Sequence, residues 1–234
     1  MNRIYLKKCK KDSFWIKDIL DDKKIGKIKC INDEFIIKIK SKLKAQFIES
    51  EALVLLDDTN MAFIKVYGNY INQYCKDLVD INGYDFPMFA ESCRLKQCED
   101  DMFDRPAFLH PAVKKAWDKM KKAAQSDRID LQIISAYRSM EYQQQLIKNK
   151  IAKGISIKNI LKTNTLPGFS EHHTGCAIDV GSKDAAVLEE GFDQSPAYNW
   201  LTKHANKFKF YLSYPKENNT GIIYEPWHWC YRIE

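Results

Sequence analysis

Two short segments, SEHHTGCAID at 170–179 and EPWHW at 225–229, constrain this chain more than anything else in it. Each carries metal-binding side chains, and His172, Asp179 and His228 can serve one cation only if the fold brings both segments together. Between His172 and Asp179, Gly175 allows a tight backbone reversal, and Ala177 and Ile178 can open a buried strand. Glu225 and His228 lie three positions apart around Pro226, which would break a helix and so argues against a HExxH arrangement on one helical face. Residues 221–231 read instead as a strand. Residues three apart on a strand face opposite sides, so a twist or bulge near Pro226 is expected to turn both side chains to the metal.

The donor set suits zinc, which in hydrolytic sites takes three protein ligands and leaves a fourth position for water. Zinc lowers the pKa of such a water from about 16 to near 7. Glu225 is then the candidate base that takes the water proton and passes it to a leaving amine. Arg138 is the candidate cation. It can stabilise an oxyanion or hold a terminal carboxylate through its planar fork, and the sequence leaves both roles open.

These residues resemble the LAS metallopeptidases (lysostaphin-type enzymes, D-Ala-D-Ala peptidases and hedgehog domains), and the VanY-type carboxypeptidases in particular. The pattern Ser-x-His-x-x-Gly-x-Ala-x-Asp is met by Ser170, His172, Gly175, Ala177 and Asp179, and Glu-x-x-His by Glu225 and His228. A third element, Tyr-Arg-Ser followed by glutamine, appears as Tyr137, Arg138, Ser139 and Gln143. The resemblance covers roughly 104–232. It implies one zinc ion held by His172, Asp179 and His228, with Glu225 and Arg138 catalytic and Arg138, Gln143 and Ser170 binding substrate. It places the ligand at His172 rather than at the neighbouring His173. The implied activity is removal of a terminal D-alanine from peptidoglycan stem peptides, preferably as an L,D-carboxypeptidase acting on tetrapeptides in murein recycling. The alternatives are a D,D-carboxypeptidase acting on pentapeptides, a phage endolysin-type peptidase and a non-catalytic binding module. Where relatives commonly carry arginine or another polar residue after the WHW or WHF triplet, this chain has Cys230, which touches no proposed ligand.

Plainer roles suit other residues. His204 reads as a surface or packing histidine, and at least one of Trp227 and Trp229 as core.

Hydrophobic residues make up 45% of the 234 residues, enough for a real core, yet no apolar run approaches the ~18–20 residues of a membrane span. The N-terminus lacks the continuous apolar stretch and cleavage site of a secretory signal. Seven cysteines, an odd number with no paired framework, suit a reducing compartment, and the chain is expected to be cytoplasmic. A local Cys93–Cys98 pair and a metal role for Cys9 or Cys30 rank below simple burial.

Charge is uneven: residues 1–48 hold 14 Lys and Arg against 6 Asp and Glu, whereas 49–100 hold 4 against 10. In GKIKCINDEFIIKIK the lysines alternate with apolar residues, the mark of a hairpin with one solvated face and its turn at Asn32 and Asp33. No nucleic-acid partner is expected, because a basic strand face ordinarily only solvates.

Two regions are expected: 1–103, of unknown role and partly β, and a VanY-like domain at 104–234. The domain should be α+β, with a small antiparallel sheet carrying the zinc site, helices packed on one side, and the rest as an N-terminal extension. Helices are expected at 111–124, 141–150, 156–161 and 195–208, and strands at 131–136, 177–180, 208–213 and 222–231.

Overall fold

The computed structural model describes the backbone of residues 4–10, 13–18, 24–31 and 34–39, and whole residues at 73–79, 84, 86, 89, 91, 92 and 95–232. Four N-terminal strands, β1 (Ile4–Lys10), β2 (Ser13–Asp18), β3 (Lys24–Ile31) and β4 (Glu34–Ile39), form an antiparallel sheet in chain order. β3 and β4 pair with Ile31 opposite Glu34, the hairpin expected from the alternating lysines. The turn itself and Cys93 lie outside the described residues.

β5 (Lys96–Asp100) and β6 (Pro106–Leu109) make a two-stranded ribbon across position 103. Next comes α1 (Pro111–Ser126), capped by the His110 ring, whose Nδ1 accepts from Ala112 N at 3.3 Å, with Pro111 at the first helical position. Val113, Trp117, Met120 and Ala124 form its buried stripe, at the spacing of one helical face. β7 (Gln132–Ser135) follows, then α2 (Met140–Ala152) and a single turn, α3 (Ile157–Ile160). Ser139 and Ser156 cap these two by accepting from Tyr142 N at 3.0 Å and Asn159 N at 3.4 Å.

β8 (Ala177–Gly181), α4 (Pro196–His204), β9 (Phe210–Leu212) and β10 (His228–Tyr231) complete the domain. The central sheet runs β7-β8-β10-β9, and its described neighbours pair antiparallel. Trp117 and Met120 of α1, Ile133 of β7, Ile178 and Val180 of β8, and Phe192, Leu201, Phe210 and Trp229 share one core. A large apolar side chain fully buried there contributes about 1.5–3 kcal/mol. β8 is buried at all five positions, as a central strand must be. The architecture is the expected α+β.

Two expected elements are shorter than the sequence suggests. The C-terminal strand begins only at His228. Pro226 has no amide hydrogen to give to a ladder, and 225–228 close as a turn in which His228 N donates to Glu225 O at 3.1 Å. This turn, rather than a bulge in an extended strand, brings Glu225 and His228 together. The helix expected over 195–208 ends at His204 and continues as a 3₁₀ turn, Ala205–Phe208, which Lys209 closes in the left-handed region at φ 64°. Among the described residues no helix is long and apolar enough to cross a membrane, and Cys75, Cys98, Cys176 and Cys230 are free thiols.

Candidate metal centre and active site

The sheet register builds the centre. β8 and β10 pair with Asp179 directly opposite His228, so two of the three candidate ligands project side by side from neighbouring strands. The third comes from the 3₁₀ turn Glu171–Thr174 that feeds β8. Ser170 caps this turn by accepting from His172 N at 3.3 Å, and Gly175 ends it at φ 67°. A side chain at Gly175 would also come within 2.9 Å of Leu95 Cδ2 and 3.0 Å of His110 N. Glycine there meets both a backbone need and a packing need.

One donor atom each from His172, Asp179 and His228 lies within 4.8 Å of the others. His172 Nδ1 lies 2.6 Å from the Ala136 carbonyl, which can only accept, so Nδ1 carries the proton and Nε2 presents a lone pair. That lone pair is 3.2 Å from Asp179 Oδ2 and has no hydrogen-bond partner, although it is buried. A bare nitrogen facing a carboxylate is an arrangement that needs a cation between them. His228 Nδ1 lies 3.0 Å from Asp179 Oδ1. Ligands on a tetrahedral zinc with bonds of ~2.0–2.1 Å stand ~3.3 Å apart, so the set fits zinc.

Glu171 completes the arrangement, and the sequence reading did not single it out. Its Oε2 lies 2.9 Å from His228 Nε2 and accepts from Ser213 Oγ at 2.6 Å. It therefore holds the His228 proton on Nε2 and leaves Nδ1 for the metal, the part that a carboxylate behind a ligating histidine plays. Despite its burial, His228 is raised to about 10 by the carboxylates of Asp179 and Glu171, so zinc binding at Nδ1 displaces a proton. Burial pushes Glu171 up, but hydrogen bonds to His228 and Ser213 and the charge of His228 outweigh it and hold Glu171 at about 2. Burial likewise opposes ionisation of Asp179, yet the two histidines hold it well below the usual carboxylate range. His172 is driven down to about 4 by burial and by the Arg138 charge, which keeps it neutral and able to ligate. A carboxylate next to His172 in the chain was the available signal for Glu171. Its replacement by glutamine should weaken zinc binding ~10–100-fold in a chelator competition, and unchanged affinity would remove this role.

His173 is committed elsewhere: Nδ1 lies 2.6 Å from the Arg138 carbonyl, and Nε2 accepts from Gly168 N at 3.0 Å. Glu225 is buried with its carboxylate 3.9 Å from His228 Nδ1. Burial raises its pKa to about 7. Glu225, Arg138 and Ser170 line a recess of about 20 Å³ with His172, His228 and Tyr214, room for about one water or ion. Arg138 and Glu225 also line an adjoining cleft of about 240 Å³ that includes Asp179 and Trp227. The Arg138 Nε is buried without a hydrogen-bond partner.

Gln143 stands apart. It is fully buried, does not line the recess or the cleft, and donates from Nε2 to Thr165 O at 2.8 Å, so it reaches the site through the Thr165 wall of the recess. Trp229 packs in the core, with Nε1 donating to Pro226 O at 3.0 Å. His204 lies against Trp200 with ring centroids 4.8 Å apart, among packing residues.

Comparison with known proteins points to one family. Residues 106–234 match the family model of VanY, D-alanyl-D-alanine carboxypeptidase. The bifunctional D-Ala-D-Ala dipeptidase and carboxypeptidase VanXYC of Enterococcus gallinarum is 32% identical over 133 residues, 55% of this chain and 69% of that protein. The putative carboxypeptidase YodJ of Bacillus subtilis is 35% identical over 127 residues, 50% of this chain and 45% of that one. Among solved structures, the LdcB LD-carboxypeptidase superposes with a TM-score of 0.55 at 28% identity, over 60% of this chain and 69% of that chain. Over a matched segment that holds His172, Asp179 and His228, the chain belongs to the VanY D-alanyl-D-alanine carboxypeptidase family.

Proposed function

We propose that this protein is a zinc-dependent carboxypeptidase that removes the terminal D-alanine of peptidoglycan tetrapeptides, an L,D-carboxypeptidase. The observation that carries the reading is the convergence of a three-residue metal set with a buried carboxylate and a half-buried guanidinium whose Nε has no partner, around one recess. Zinc bound by His172, Asp179 and His228 supplies Lewis acidity and a water that ionises near neutral pH. Glu225 takes the water proton and delivers it to the departing amine nitrogen. Arg138 faces both the recess and the cleft, where its fork binds the terminal carboxylate or the oxyanion that forms at the cleaved carbonyl. Ser170 donates its hydroxyl hydrogen toward the same substrate end, since its oxygen already accepts from His172 N.

The likeness to the LdcB LD-carboxypeptidase favours the L,D bond, and the likeness to VanXYC favours D-Ala-D-Ala. Free thiols at Cys75, Cys98, Cys176 and Cys230 suit a reducing compartment and recycled fragments as substrates. The test is mass spectrometry of the zinc-loaded protein with tetrapeptide and pentapeptide in one tube. Loss of one alanine from the tetrapeptide is expected. Loss from the pentapeptide alone makes the enzyme a D,D-carboxypeptidase, and loss from neither refutes the carboxypeptidase reading.

A further inference from the structure

Two cations face the cleft beside the metal set, and among the described residues neither forms an ion pair. One is Arg138. The other is Lys150, in the last turn of α2, whose Nζ donates to Oδ1 of Asn164. Burial, and then the charge of Arg138, pull the Lys150 pKa below its ordinary value. Folding thus desolvates an ammonium beside a like charge, an unfavourable placement unless an anion arrives.

The carboxylates of the cleft do not fill that need. Asp179 is turned to the metal set, and Glu225, whose charge does act on Lys150, forms no ion pair with it and leaves its pKa lowered. The remaining wall sets Leu188, Ile223 and Trp227, the first two of them exposed, beside Thr163 and Asn164. An aliphatic wall with an unpaired ammonium suits an aliphatic side chain that ends in an anion. With the Arg138 fork matching the charge of the terminal carboxylate, the Lys150 charge is left for a second carboxylate.

Building on the carboxypeptidase reading above, we propose that Lys150 binds a carboxylate on the side chain of the residue preceding the terminal alanine. It thereby selects peptides with a diamino dicarboxylic acid at that position over peptides with lysine. This Lys150 contact is a specificity determinant separate from the bond-cleaving groups.

Two tetrapeptides that differ by one carboxylate, with diaminopimelate or lysine before the terminal D-alanine, provide the test. Their binding is measured by calorimetry to zinc-loaded Glu225→Ala protein, which requires no turnover, and to the same protein with Lys150→Met or Lys150→Glu added. The expected result is about tenfold tighter binding of the diaminopimelate peptide, the scale of one hydrogen bond to a charged group. The preference should vanish in Lys150→Met and reverse in Lys150→Glu, with zinc content unchanged. Equal binding of the two peptides before Lys150 is changed overturns the proposal, as does binding of neither. So does equal weakening of both by Lys150→Met, the result expected if Lys150 only orients Asn164 or serves the terminal carboxylate. A preference that depends on Lys150, together with wild-type protein that releases no alanine from either peptide, sustains the proposal and refutes the carboxypeptidase reading instead.

Discussion

Glu225→Ala should retain its zinc and lose ~10²–10⁴-fold in kcat, the usual contribution of a positioned general base. The side chain is buried next to His228 without being one of the three clustered ligands. Its removal leaves the donors of His172, Asp179 and His228 in place, so metal analysis and kinetics should separate cleanly. The pH profile carries the same signature. Burial raises Glu225 to about 7, and only its ionised form accepts a proton, so kcat/KM should fall as pH drops through the Glu225 pKa. Zinc close by favours the carboxylate and draws that acid limb below 7. Glu225→Ala should lack the limb. Wild-type turnover in the variant would remove Glu225 as the base.

His172→Ala and His173→Ala should differ sharply although the residues adjoin. His172 offers an unpartnered, unprotonated Nε2 to the metal position, so its loss leaves two ligands and should weaken zinc by more than the ~100-fold that marks the upper end for an outer partner. His173 has both ring nitrogens engaged, with the Arg138 carbonyl and the Gly168 amide. Its alanine variant should keep zinc and lose about 1–3 kcal/mol of stability, the cost of leaving such buried partners unsatisfied. Zinc content and a denaturant titration of both variants decide the matter. Full zinc in His172→Ala with loss in His173→Ala would reverse the assignment.

What could be foreseen from the sequence was local. Pro111 and Ser156 announce helix starts through chemistry confined to one turn, and Ala177, Ile178 and Val180 announce a buried strand on either side of Asp179. The span 221–231 misleads because its β-branched and aromatic residues favour a strand while Pro226 removes an amide the ladder would need. Long-range effects decided there: Glu225 N donates to Tyr214 O at 3.0 Å and Val180 N to Trp227 O at 2.9 Å, which fix the turn from outside it. Glu171 and Lys150 escaped notice for the same reason. Each matters through partners 57 and 14 positions away, at His228 and Asn164. Gln143 enters the substrate-binding set through the Tyr-Arg-Ser motif, and a motif does not say that this side chain is buried beneath Thr165.

The opposition of Asp179 and His228 across β8 and β10 makes the metal a witness to how the chain has assembled. Slipping one strand by a single residue turns its side chains to the other face, so a misaligned sheet would scatter the ligands. Only correctly aligned molecules can hold zinc tightly, and binding to them alone shifts the population toward that alignment by mass action. Uptake of the ion would therefore act as a proofreading step on strand alignment, performed by the same three side chains proposed to serve the reaction.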